Sequence, residues 1–222
     1  MIYELNIHIE RCKTLEDVSR LMRLNKVDIV FFAETHGMLD ELKIQDKIIS
    51  VLKPTCYLYE LLEEERIISD KDFIEFLKKK NSERFSIISS FGELKQTVQL
   101  ARKYNLHVIG CDIRNMCRKK KDFLKETNAE EEKIMLKREE RQNKVIEEAS
   151  GKYGSPIFVS IGAFHLRKDS LVLRKVKHRY VLVQPLINGK RLEDLDENFD
   201  INNIKGVSYM MEADRDGNQT KN

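Results

Sequence analysis

Val27-Asp28-Ile29-Val30-Phe31-Phe32-Ala33, followed at once by Glu34-Thr35-His36-Gly37, is the stretch whose pattern decides the fold. Its β-branched and aromatic residues run on with a single polar interruption and end at a group of chemistry-bearing side chains. An apolar run this short suits a strand covered on both faces, as in a parallel sheet. Four further runs share the character, at 56–60 just after Pro54, at 106–111, at 157–162 and at 180–183. Leu5, Ile7 and Ile9 alternate with Asn6, His8 and Glu10, which predicts a half-exposed edge strand instead.

Between these runs the apolar period becomes that of a helix. Thr14-Leu15-Glu16-Asp17 has the form of an N-terminal cap, with Leu15, Val18, Leu21 and Met22 on one face. Leu42, Ile48, Ile49 and Leu52 predict a helix that stops before Pro54. Phe73, Ile74 and Leu77 predict another, and Leu94, Val98 and Ala101 a third that ends by Asn105. The charged stretch from Lys119 to Glu148 is expected to hold a helix capped at Thr127 or Asn128. Its apolar residues keep no heptad, so a coiled coil is not indicated. Strands alternating with helices imply βαβ crossovers. The expected fold class is therefore α/β, a single domain over 1–212 with a central, mostly parallel sheet flanked by helices. Residues 213–222 are expected to form a frayed polar tail.

Composition excludes several function classes. The 222 residues carry 40 Lys+Arg against 37 Asp+Glu, a balance that makes no case for a polyanionic partner. The basic run Arg118-Lys119-Lys120-Lys121 lacks interleaved aromatics and is soon followed by acidic residues, so it reads as the solvated start of a helix. No nucleic-acid partner is expected. No apolar run approaches the roughly 18 residues of a membrane span, and Met1-Ile2-Tyr3-Glu4-Leu5-Asn6 does not start a signal peptide. Cys12, Cys56, Cys111 and Cys117 fall at no recognised metal spacing. A cytoplasmic protein without a membrane partner is expected. Phosphate-binding loops, dinucleotide fingerprints and a serine nucleophile elbow are missing from the sequence.

The informative residues are those that follow each apolar run. The first run leads into Glu34 and His36, the second into Glu60, the third into Asp112-Ile113-Arg114, and the fourth into Gly162-Ala163-Phe164-His165. In a parallel α/β sheet the carboxyl ends of strands open into one crevice, so these segments are expected to meet. Glu34 and His36 are two apart and leave the same face of extended backbone, where a carboxylate can share a metal with an imidazole or orient it. Taken alone, each residue has a plainer reading. Glu34, Glu60 and Asp112 read as helix caps, His36 as a loop residue, His165 as a satisfied core histidine, and Arg114 as the partner of Asp112. Arg141 reads as a solvated face residue, His107 as structural and His178 as surface.

As a set, the segments resemble the superfamily that contains TraB, the Tiki metalloproteases, the ChaN haem-binding lipoproteins and erythromycin esterase. Ala33-Glu34-Thr35-His36-Gly37 resembles its G-E-x-H element, with Ala33 in place of the Gly, and Gly162-Ala163-Phe164-His165 resembles its G-x-x-H element. Glu60 and Asp112 are similar to its strand-end Glu and Asp, and Arg141 to the Arg of the helix before the second motif. The match spans about residues 27–185. The resemblance implies metal-dependent peptidase activity in one branch, ester hydrolysis in another and haem binding in a third.

Four functions are therefore expected to compete. The first is a hydrolase of an ester or amide bond, acting on a small molecule or peptide. In it His36, His165, Glu34 and Glu60 hold a divalent Zn, Mn or Co ion. Glu34 and His36 would work with Asp112 and with Arg114 or Arg141 as catalytic groups. The second is a metal-free hydrolase with His36 as base and Glu34 orienting it. The third is a haem or ligand binder, with Tyr59 as the positional candidate for an axial ligand. The fourth is a scaffold that has lost catalysis.

Overall fold

The computed structural model describes residues 27–36, 41–78, 91–113, 128–167, 170–186 and 207–212. The predicted N-terminal edge strand and first helix, Arg114, the basic run at 118–121 and the tail lie outside these residues. Among the described residues seven strands form one sheet: β1 (Ile29–Glu34), β2 (Cys56–Tyr59), β3 (Arg66–Ile67), β4 (His107–Gly110), β5 (Ile157–Gly162), β6 (Tyr180–Leu186) and β7 (Val207–Glu212). Their order is β3-β4-β2-β5-β1-β6-β7. Every pairing is parallel except that of β3 with β4.

All five predicted runs are strands, with ends that shift by a few residues. Glu60 leaves the sheet and opens a 3₁₀ turn over Glu60–Leu62. β6 runs on past Val183, its last residue paired with β1, and is accompanied there by β7 alone. A proline such as Pro185 is tolerated where the ladder has only one neighbour. β1, β2 and β5 are buried at every position, which explains why their sequences lack alternation.

Helices cover both faces. α1 (Glu41–Leu52), α2 (Asp70–Lys78) and α3 (Phe91–Lys103) lie on one side, where Ile44, Ile48, Phe76, Leu94 and Val98 pack on Val30, Phe32, Tyr57, Tyr59 and Phe158. α4 (Asn128–Tyr153) and α5 (Leu171–Lys175) cover the other. There Val145, Ile146, Ala149 and Val172 pack on Ile29, Phe31, Leu58, Val159 and Ile161. α1 stops at Lys53, whose φ of 49° ends it one residue before Pro54, and α3 is closed off at Asn105 with φ 58°. Among the described residues, no helix is long and apolar enough to cross a membrane.

Candidate functional site

Four adjacent parallel strands, in the order β4-β2-β5-β1, end along one edge of the sheet. Asp112, Glu60, Gly162 and Glu34 stand in that order because Gly162 and Glu34 close their strands, Glu60 follows β2 directly and Asp112 comes two residues after β4. Glu34 is in register with Gly162, and Tyr59, just before Glu60, pairs with both Gly110 and Ser160.

Glu34 shares the face of Val30 and Phe32, and it is buried. Ser160 donates its hydroxyl to Oε2, and Tyr59 donates its hydroxyl to Oε1 at 3.3 Å. The same Oε1 faces His36 Nδ1 at 3.2 Å. The loop that carries His36 is tied to α1 by the Thr35 N–H, which donates to the Glu41 carboxylate at 2.9 Å and 3.2 Å. Burial foremost, helped by the charge of Glu34, pushes the Glu41 carboxyl up to about 8 against the Thr35 hydrogen bond. Burial works against a charged His36. The contacts with Glu34 and Glu60 outweigh it and raise the imidazole to about 10. His36 is only 10% exposed at its side chain, yet it is the more open of the two site histidines, His165 being 3% exposed.

Glu60 is the hub. Its Oε1 accepts from Arg138 Nη2 at 2.6 Å and its Oε2 from the Gly162 N–H at 2.6 Å. His165 Nε2 lies 3.5 Å from Oε1 and His36 Nε2 3.7 Å from it. Burial would raise this carboxyl, but His165 first and His36 after it hold it well below the ordinary range. Gly162 leaves room for the arrangement. A Cβ there would meet His36 Nε2 at 3.1 Å and Glu60 Oε2 at 3.2 Å.

Asp112 is fully buried and takes the fork of Arg138, with Nε at 2.9 Å and Nη2 at 2.6 Å from Oδ2. The Ile113 N–H donates to Oδ1 at 2.8 Å. Burial, with the nearby charge of Glu60, pushes this carboxyl up against the Arg138 contact. On the far side His165 Nδ1 stands 3.5 Å from Glu139 Oε1, an ion-pair distance without a hydrogen bond. Burial depresses a charged His165, and Glu60 with Glu139 more than reverses that. Glu139 in turn accepts from Arg167 and from the Leu171 N–H at 2.9 Å, where α5 begins.

The structure thus gathers Glu34, His36, Glu60, Asp112 and His165 into one network. Arg141 takes no part in the carboxylate contacts. The arginine of α4 that reaches Glu60 and Asp112 is Arg138, one turn earlier, while Arg141 Nε is buried without a hydrogen-bond partner. Tyr59 is fully buried beneath Glu34, bonded to it and in reach of Thr97, so it is not placed to ligate a haem. His107 and His178 lie away from the network. His107 Nδ1 meets the Ile68 carbonyl at 3.2 Å, and His178 pairs with Glu147 at 3.4 Å.

Sequence reasoning missed Arg138, Glu139, Glu41 and Ser160. Arg138 and Glu139 were recoverable from helical phase, because stepping back seven residues from Val145 and Ile146 reaches them.

A divalent metal does not fit this arrangement. Glu60, Asp112, His36 and His165 stand close together, but among the described residues no three His, Cys, Asp or Glu side chains are spaced to hold a metal ion as the site stands. Both Glu60 oxygens are taken, and the Arg138 guanidinium lies between Glu60 and Asp112.

No family model matches the sequence, and no curated protein matches it. Among solved structures the chain is similar to the type III effector HopBA1, with a TM-score of 0.57 and 14% identity, covering 96% of this chain and 100% of that one. It is also similar to ChaN of Campylobacter jejuni, from a structure described as cofacial haem binding. There the TM-score is 0.52 and the identity 14%, covering 86% of this chain and 90% of that one. At such identity the likeness is one of fold alone.

Proposed function

We propose that this network is the acid–base centre of a hydrolase that cleaves an ester or amide bond without a metal. Its substrate would be a small molecule or a peptide. The observation that carries the reading is the Glu34–His36 pair. Glu34, locked by Ser160 and Tyr59, fixes the ring through Nδ1 and leaves Nε2 as the nitrogen for proton exchange. Neutral Nε2 takes a proton from water as the water oxygen bonds to the carbonyl carbon. It returns the proton to the departing oxygen or nitrogen as that bond breaks, so the imidazole ends as it began.

The same carboxylates keep His36 protonated up to about 10. At neutral pH the base form is therefore the minor one, and kcat/KM is expected to rise with pH towards that value. The test is hydrolysis of an ester and amide panel in excess chelator, across pH, with His36→Ala and Glu34→Gln beside the wild type. Activity that survives chelator, rises with pH, disappears in His36→Ala and levels off at lower pH in Glu34→Gln is the expected outcome. A wild type inert on every substrate overturns the reading. A Soret band on haem titration of that inert protein would turn attention to binding of the kind described for ChaN.

A further inference from the structure

Glu60 and Asp112 are 2% and 0% exposed, and two carboxylates buried side by side cannot both stay ionised unless a cation stands with them. In many sites of this make-up that cation is a metal ion. Here one nitrogen does the bridging. Arg138 Nη2 lies 2.6 Å from Glu60 Oε1 and 2.6 Å from Asp112 Oδ2, while Nε of the same fork secures Asp112 at 2.9 Å and 3.2 Å. Two imidazole nitrogens, from His165 and His36, flank the bridged Glu60 oxygen. The donor chemistry of a borderline metal site is thus assembled around a guanidinium that comes from the chain itself.

We propose that Arg138 is the built-in cation of this centre, that it closes the site to divalent metals, and that removing its charge converts the site into a metal-binding one. A planar fork matches two carboxylates in fixed directions, whereas a lysine ammonium is a point charge, so charge and geometry can be separated experimentally. The inference concerns what the centre holds and does not rest on the hydrolase reading. Its readout is metal binding, so either can fail alone.

The experiment uses tag-free full chain, with thermal unfolding and equilibrium dialysis in Zn, Mn or Co chloride. Wild type is expected to bind none of the three and to show no metal-dependent shift. Arg138→Met keeps the apolar stem, leaves Glu60 and Asp112 without their cation, and is expected to bind one equivalent. With metal about 100-fold above Kd, its unfolding midpoint should rise by about 5–10 °C. Arg138→Lys, which retains the charge, and the double variant Arg138→Met with Asp112→Asn, which removes a donor, should show no such rise. One tightly held equivalent in the wild type overturns the proposal. So does an Arg138→Met protein that folds but ignores all three metals, or that stays unfolded with metal present.

Discussion

Replacing Gly162 by alanine should separate the chemistry of this protein from its stability. Gly162 sits at φ −53° and ψ 136°, a backbone conformation open to any residue, so alanine adds no strain. The new Cβ would stand 3.1 Å from His36 Nε2, 3.2 Å from Glu60 Oε2 and 3.7 Å from His36 Cε1. These are side-chain atoms that can yield by a few tenths of an ångström. Crowding is offset by the smaller conformational freedom of the unfolded chain, about 0.4–1 kcal/mol for Gly→Ala, so net stability should change by less than about 1 kcal/mol.

His36 cannot yield without lengthening its 3.2 Å contact with Glu34 or its 3.7 Å approach to Glu60. A hydrogen bond to a charged group is worth about 1.5–3 kcal/mol and a pKa unit about 1.4, so weakening the Glu34 contact should lower the His36 pKa by about 1–2 units. The sign follows from the folded pKa of about 10 standing above the ordinary 6.5. The stabilisation is fully present below 6.5 and is lost as pH rises through about 10. In Gly162→Ala that loss should be smaller and complete at lower pH. Imidazole NMR titration of His36 and urea unfolding across this window read both effects. The reasoning fails if His36 in the wild type titrates near 6.5, or if the variant loses several kcal/mol while His36 titrates unchanged.

Gly110→Ala should behave in the opposite way. Its Cβ would fall 2.0 Å from the Glu63 carbonyl oxygen, a backbone atom that cannot swing aside, so the backbone that closes the 3₁₀ turn ahead of β3 must shift. A loss of about 3 kcal/mol or more by denaturant unfolding is expected, and an unchanged midpoint would refute the contact. Glu41→Gln should stabilise the protein in mildly alkaline solution. The folded carboxyl at about 8 stands above its ordinary 4.5, so wild-type stability declines as pH rises between these values. The amide oxygen of Gln still accepts from Thr35, and the thermal midpoint above pH 8 should exceed that of wild type by a few degrees. A lower midpoint would mean that the charged form of Glu41 is the one the fold needs.

The strand framework was legible because double-sided burial leaves apolar runs that nothing else explains, and each chemistry-bearing residue of the sheet edge follows one of them. Ile157–Gly162 was read to the residue. β3 was not, since two residues carry no period, and β7 escaped because Val207–Glu212 mixes apolar and polar positions without alternation. The helix contribution was only half legible. Arg138 and Arg141 lie on neighbouring turns of a charged segment, and both satisfy the phase set by Val145 and Ile146. Which of them meets Glu60 depends on how far along the sheet each turn lies, and that is a tertiary distance. Ser160 could not be told from a strand residue tolerated in the core until Glu34 was seen beside it.

β5 has a consequence for how the molecule comes into being. Among the described strands it alone joins β3-β4-β2 to β1-β6-β7, and it lies more than a hundred residues downstream of β1. As the chain leaves the ribosome, β1 and β2 are both made long before their shared neighbour exists, and each waits with an open edge. The hydroxyl of Ser160 and the amide of Gly162 arrive on that same strand. The event that knits the two halves of the sheet is then also the one that seats Glu34 and Glu60. Nascent chains stopped before residue 157 should hold both carboxylates incompletely, with Tyr59 and Arg138 in reach but the Ser160 hydroxyl and the Gly162 amide still missing.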